Sequence, residues 1–224
     1  MKNFRLQLFF FSFLLVFPAS MFAQSFNILS GNNINSNNYS NRPSFGLKVG
    51  ANLSNVYDTQ GDEFDADAKL GFAAGAFLQI PIGSFLGFHP EILFSQKGYR
   101  GSGSILGSEY NYIRTTNFID IPLLMAFKAT PAFSFLLGPQ YSYLLSQKYF
   151  LHTALGDVTE EEHFDNENLL KNTLSLTGGF DVNLNNIVLS ARGSWDLMNN
   201  KGDGTSSTPR YKNMWYQATI GYRF

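Results

Sequence analysis

The stretch Met214-Trp215-Tyr216-Gln217-Ala218-Thr219-Ile220-Gly221-Tyr222-Arg223-Phe224 closes the chain, and its reading decides the fold. In an extended strand successive side chains point to opposite faces. Met214, Tyr216, Ala218, Ile220, Tyr222 and Phe224 therefore share one face, and Gln217, Thr219, Gly221 and Arg223 share the other. No helical spacing of apolar residues fits the same run.

The pattern repeats upstream. Ile187, Leu189, Ala191, Trp195 and Leu197 oppose Ser190, Arg192, Ser194 and Asp196; Leu174, Leu176, Phe180 and Val182 oppose Thr173, Ser175, Thr177, Gly179 and Asp181. Phe133, Phe135, Leu137, Tyr141 and Tyr143 oppose Ser134, Gly138, Gln140 and Ser142. Eight such segments can be marked: Ser44 to Asn55, Lys69 to Ile80, Phe85 to Arg100, Glu109 to Ala129, Phe133 to Tyr149, Leu170 to Leu184, Ile187 to Met198 and Tyr211 to Phe224. Short turns at 81–84, 130–132 and 185–186, rich in Pro, Gly and Asn, alternate with long polar loops at 56–68, 101–108, 150–169 and 199–210. That alternation predicts an all-β, eight-stranded antiparallel up-and-down barrel with both termini at the short-turn end.

A soluble barrel also alternates, so the content of the two faces must choose the solvent. A face turned to water is ordinarily rich in Lys, Glu and Arg; here the polar face is mostly Gly, Ser and Thr with isolated charges. Small residues suit the cramped interior of an eight-stranded barrel, which side chains alone fill. The other face carries large apolar side chains and almost no charge, as hydrocarbon demands. Segments of this length exceed the 9–11 tilted residues that cross a bilayer. The barrel is therefore expected to be of the transmembrane, outer-membrane type, with short turns and termini in the periplasm and long loops outside. Aromatic residues near the strand ends, Phe85, Phe88, Phe127, Phe133, Phe135, Tyr222 and Phe224 at one end and Tyr99, Tyr110, Tyr141, Tyr143, Tyr149, Trp195 and Tyr216 at the other, predict two interfacial girdles.

Before the first segment the chain changes character twice. Lys2 and Arg5 precede a run from Leu6 to Phe17 that is apolar except for Gln7 and Ser12 and ends at Pro18, which fits a secretory signal with cleavage after Ala23. The run is too short to span a membrane as a helix. Residues 24–43, dominated by Asn and Ser, read as a flexible lead-in to a barrel domain at 44–224.

Composition excludes several function classes. A formal net charge of -1 leaves no basic excess for a nucleic-acid partner. The absence of cysteine removes disulfide, thiolate-metal and cysteine-nucleophile chemistry together. Charged residues at 15% fall below aromatics at 16%, a balance that favours strands over helices.

The closing segment from Lys212-Asn213 through Ile220-Gly221-Tyr222-Arg223-Phe224 resembles the last strand of outer-membrane barrels, whose terminal aromatic is read by the barrel-assembly machinery. That resemblance marks Tyr222 and Phe224 as an assembly signal. With Gly46-Leu47-Lys48-Val49-Gly50-Ala51-Asn52-Leu53-Ser54, Ile119-Asp120-Ile121-Pro122-Leu123-Leu124 and Gly138-Pro139-Gln140, the chain looks like the PorT-like, porin-family barrels common in Bacteroidetes. The resemblance spans Ser44 to Phe224 and implies an architecture rather than an activity. One subgroup of that family is tied to type IX protein secretion.

The predicted faces send Lys48, His89, Glu91, Lys97, Asp120, Lys128, Asp181, Arg192, Asp196 and Arg223 into the lumen. Their near balance of sign predicts an ion-paired plug, since a buried charge is costly unless paired. A narrow conductive path for small solutes is the alternative. The loop around residues 151–167 gathers His152, Asp157, His163 and Asp165 among further acidic residues, donors that suit calcium or magnesium, with His admitting zinc. They show no regular ligand spacing, so a solvated acidic external loop is the plainer expectation, with cation bridging to lipopolysaccharide as a minor use of it. No cofactor is expected. A barrel enzyme would need His beside Ser or Asp near the outer rim, and no nucleophile stands beside His152 or His163. The expected function is a structural or accessory envelope protein that presents loops or docks to an envelope complex.

Overall fold

The computed structural model describes residues 42–58, 66–105, 108–153, 156–162, 170–200 and 211–224, with backbone alone for the strand residues within 102–111 and 151–162. The expected signal segment and nearly all of the expected lead-in lie outside the described residues. The described residues form nine strands: β1 (Ser44–Asp58), β2 (Ala66–Pro81), β3 (Leu86–Ile105), β4 (Ser108–Lys128), β5 (Phe133–Thr153), β6 (Gly156–Glu162), β7 (Asn172–Leu184), β8 (Ile187–Asp196) and β9 (Tyr211–Arg223). Every pairing is antiparallel. β1 pairs with both β2 and β9, and β4 pairs with β5, so eight strands close a ring in the order β1-β2-β3-β4-β5-β7-β8-β9. Closure leaves no unpaired edge in the ring, which membrane-spanning backbone requires.

β6 stands outside that ring. It pairs with Gln147 to Thr153 of β5, above the segment Phe133 to Tyr143 that pairs with β7. The sequence reading treats 150–169 as loop; in fact β5 continues to Thr153 and folds back as β6. The stretch 101–108 also departs from the polar-loop expectation, because β3 runs to Ile105 and β4 starts at Ser108 with the ladder unbroken between them. In both places backbone pairing persists after the apolar and polar alternation of the sequence has ended. Alternation alone finds only the part of a strand that has two different solvents.

At the opposite end the turns are tight. Asn185 takes a left-handed backbone (φ 54°), which Asn tolerates better than branched residues, and lets Leu184 and Ile187 pair directly. Phe133 donates its backbone N–H to Thr130 Oγ1 at 3.0 Å and fixes the turn between β4 and β5. The chain terminus lies at this same end: the Phe224 N–H bonds Phe45 O at 2.9 Å, and their rings stack at 5.0 Å.

The two faces separate as the sequence predicts. Phe45, Leu47, Val49, Leu53, Leu78, Ile92, Phe135, Leu137, Leu174, Leu176, Leu189, Ile220 and Tyr222 are exposed on the outside, whereas Lys48, Asn52, Ser95, Gln140, Ser175, Arg192 and Gln217 are buried inside. A protein with its apolar side chains outward and its charges inward suits hydrocarbon, not water. Among the described residues no helix is long and apolar enough to cross a membrane, which says nothing of a β-barrel. Tyr99 departs from its expected girdle position. It is buried, packs edge-on against Tyr112 and Tyr211, and belongs to the interior. Tyr149 is likewise drawn inward, its hydroxyl 2.6 Å from Gln147 Nε2. For Tyr149 the cause is a register shift on β5, where Asn117 and Phe118 of β4 face Ser146 and Leu144, leaving one extra residue that reverses the faces beyond it; Tyr99 continues the inward run of Leu93, Ser95 and Lys97 on β3.

Candidate functional site in the barrel lumen

The inner face of β2 is nearly bare at Gly71 and Gly75, which stand opposite Asn52 and Lys48 of β1. Side chains of β1 therefore reach β3 directly. Asn52 Nδ2 donates to Ser95 Oγ at 2.8 Å, and Lys48 Nζ donates to Glu91 Oε1 at 2.8 Å. The far wall answers with Arg192 of β8, whose Nη2 lies 2.7 Å from Asp181 Oδ1 of β7 and 3.4 Å from Glu91 Oε1. His89 Nδ1 is 3.7 Å from Asp181 Oδ2. Two cations and two carboxylates from four strands thus form one knot across the middle of the lumen. Arg192 also donates to the Phe180 carbonyl at 2.8 Å, so part of its fork is spent on backbone. Such groups are tolerated without water because opposite charges and hydrogen bonds compensate their desolvation.

A second pair lies nearer the loop end. Lys97 Nζ is 2.9 Å from Asp120 Oδ2 and sits 3.5 Å from the Trp215 ring centroid, with the Phe118 ring at 4.7 Å. Asp196 accepts from Ser175 Oγ at 2.7 Å and from both the backbone and side-chain nitrogens of Asn213. Hydroxyls and amides fill the space between the charges: Gln217 donates to Asn52 Oδ1 at 2.9 Å, and Thr177 bonds Gln140 and Ser194. Leu124 and Ala126 of β4 and Leu136 of β5 add a small apolar cluster. The hydrogen bonds and ion pairs cross-link most of the interior, while Arg192 Nε and Thr219 Oγ1 stay buried with no hydrogen-bond partner among the described residues.

Of the residues that the sequence sends inward, Lys48, His89, Glu91, Lys97, Asp120, Asp181, Arg192 and Asp196 are all buried. The first three join Asp181 and Arg192, whereas Lys97 and Asp120 pair apart from them. Arg223 and Lys128 sit half-buried at the short-turn mouth, where Arg223 donates to Gln79 Oε1 at 2.9 Å and to the Asn185 carbonyl. Tyr222 and Phe224 point outward and touch edge-on at 5.2 Å. His163 and Asp165 lie outside the described residues; His152 and Asp157 are register partners on β5 and β6, with their side chains outside the description.

Sequence reasoning missed Trp215 and Arg114, both buried. Arg114 lies six residues before Asp120 on one strand, so the parity that placed Asp120 inward also carried Arg114. Trp215 is the neighbour of two outward residues, and its size concealed it among lipid-facing aromatics. Arg114 Nε donates to Gln147 Oε1 at 3.0 Å, a second bond runs from its Nη2 to the same oxygen, and Nη1 is 3.4 Å from Tyr99 Oη. Its guanidinium carbon lies 5.1 Å from the ring centroids of Tyr149 and Tyr211 and 5.8 Å from that of Tyr99.

The sequence matches a family model described as outer membrane protein beta-barrel domain over residues 22–202. No curated protein matches the chain at a significant level. Solved structures of similar fold include the attachment invasion locus protein Ail of Yersinia pestis, with 14% identity, a TM-score of 0.44, and coverage of 82% of this chain and 99% of that one. Neisserial surface protein A shows 13% identity, a TM-score of 0.46, and coverage of 82% and 99%. The outer membrane protein OprG of Pseudomonas aeruginosa shows 12% identity, a TM-score of 0.33, and coverage of 81% and 94%.

Proposed function

This chain belongs to the outer membrane protein β-barrel domain family, and within it we propose a closed scaffold of PorT-like, porin-family type that presents its long-strand end to the exterior and docks to an envelope complex. In this reading the short turns and both ends of the barrel domain face the periplasm. The one observation that carries the proposal is the knot of Lys48, Glu91, Arg192 and Asp181 spanning the lumen from four strands. A solute path through the centre would have to part charge pairs at 2.7 and 2.8 Å, and in a buried site each separation costs several kcal/mol. With the lumen filled, the surfaces left for function are the long hairpins and the outer wall. β3, β4 and β5 run 20 and 21 residues against 10 in β8, so one side of the barrel extends well past the apolar belt. That extension is the proposed docking element, with lipopolysaccharide around it, and Tyr222 and Phe224 serve as the assembly signal.

The deciding experiment reconstitutes the purified protein in planar bilayers and, separately, recovers it from native membranes by affinity capture after mild crosslinking. The scaffold reading expects no steady single-channel current and a reproducible envelope partner. Steady currents that change with Arg192→Gln would establish a small-solute channel instead.

A further inference from the structure

Arg114 differs from the three cations deeper in the lumen. Lys48, Lys97 and Arg192 each have a carboxylate oxygen within 2.7 to 2.9 Å. Arg114 is 8% exposed, and among the described residues no carboxylate pairs with it. Of the five N–H bonds of a guanidinium, two go to Gln147 and one makes a long contact with Tyr99, which leaves two. Three tyrosine rings hold the fork in position. Beside it opens a cavity of about 40 Å³ lined by Arg114, Thr116, Thr173, Asn200, Tyr211 and Asn213, among others. One water needs roughly 10–15 Å³ on this measure, so the space takes about three heavy atoms.

We propose that Arg114 anchors a carboxylate-binding site at the loop end of the lumen, for a small monocarboxylate or the free carboxylate end of a longer molecule. A carboxylate has three heavy atoms, matches the planar guanidinium with two parallel hydrogen bonds, and supplies the counter-charge that a desolvated Arg lacks. Asp196 lines the same cavity and sets the selectivity. Its oxygens already accept from Ser175 and Asn213, so it does not compete for a donor. Its charge nevertheless opposes negative charge on the ligand in proportion to its amount, which favours a monocarboxylate over dianionic phosphate. In the orientation proposed above the site opens outward; in micelles both ends are accessible, so its test does not depend on that orientation.

The test follows the Arg side-chain Nε–H resonances of the full barrel in micelles during sodium acetate titration at constant ionic strength, with sodium chloride as the balancing salt. A saturable shift of the Arg114 signal is expected with acetate, and phosphate should compete at least tenfold less well. Asp196→Asn should bring phosphate closer to acetate. Arg114→Lys keeps the charge but loses the fork, and should weaken acetate tenfold or more in protein that still shifts on a gel when boiled. An alanine dipeptide with a free C terminus, run beside its amide, separates the two sources: saturation by the free dipeptide indicates a chain end, and saturation by acetate alone indicates a small acid. A shift that chloride reproduces, or a dipeptide amide that binds as tightly as the free acid, would overturn the proposal. The acetate and chloride comparison in the unmodified protein decides the matter even where a variant does not fold.

Discussion

Lys48 and Glu91 meet at 2.8 Å across a strand that lies between their own, because the residue opposite Lys48 on β2 is Gly75. The same glycine lets β3 curl close. A Cβ built on Gly75 would lie 2.0 Å from the Ile92 carbonyl oxygen and 2.7 Å from Leu93 Cα, both backbone atoms that cannot step aside. Gly75→Ala is therefore expected to force β2 and β3 apart and to destabilise the barrel by about 1–3 kcal/mol or more. Urea unfolding in lipid vesicles, followed by the gel shift on boiling, measures it; a stability equal to that of the parent protein would refute the close approach.

The charge knot makes an ordering prediction. Arg192 touches both Asp181 and Glu91, whereas Lys48 touches Glu91 alone. Removing one partner of a buried ion pair costs about 3–5 kcal/mol. Arg192→Met should lie at the upper end of that range, and Lys48→Met, which leaves Glu91 beside Arg192, at the lower end. Comparable losses in equilibrium unfolding would mean that the two carboxylates do not share the Arg192 fork.

The deeper pair tests whether that cost arises from an orphaned charge. Lys97→Met leaves Asp120 buried with its cation gone, and it also removes the contact with the Trp215 ring. Lys97→Met combined with Asp120→Leu removes both charges. The double variant is expected to be more stable than Lys97→Met alone, since apolar replacement of a whole buried pair is often neutral. A double variant less stable than the single one would show that the pair contributes beyond mutual compensation.

Much of this architecture was legible because it obeys a period of two. Ser134, Gln140, Ser175, Asp181, Arg192 and Gln217 fall inside and Phe135, Leu176, Leu189 and Ile220 outside, as the alternation requires. Individual inward charges followed from the same count. Which of them meet did not, because the partner of Lys48 depends on Gly75 leaving a gap and on the far wall bringing Arg192 to Glu91. Tyr149 misled because the faces are exchanged beyond the β5 register shift, whereas Tyr99 keeps the inward parity of Lys97 and was hidden because tyrosine serves equally as a belt residue and as a wall for a buried Arg. β6 left no trace because its sequence, Gly156-Asp157-Val158-Thr159-Glu160-Glu161-Glu162, carries no alternation of apolar and polar residues.

The outer face predicts a penalty that depends on side-chain direction alone. Ala218 is exposed near the middle of β9, while its neighbours Gln217 and Thr219 are buried. Ala218→Arg would set a charge toward hydrocarbon, at about 2–4 kcal/mol near the midplane. Ala218→Leu should be close to neutral. Unfolding free energies in vesicles separate the two, and an Arg variant as stable as the Leu variant would place this face in water.

The two tryptophans give a direct optical test of sidedness. Trp195 is exposed on β8, whereas Trp215 on β9 is 2% exposed and holds Lys97 against its ring inside the lumen. Their backbones are register partners of adjacent residues, Trp195 with Met214 and Ser194 with Trp215, so the two rings lie at similar depth but on opposite faces of the wall. Bromine on lipid acyl chains quenches indoles that it can touch. In brominated vesicles Trp215→Phe, which keeps only Trp195, should lose most of its fluorescence, and Trp195→Phe, which keeps only Trp215, should retain most of its own. Equal quenching would mean that Trp215 reaches lipid and that the packed lumen around Lys97 and Asp120 is open.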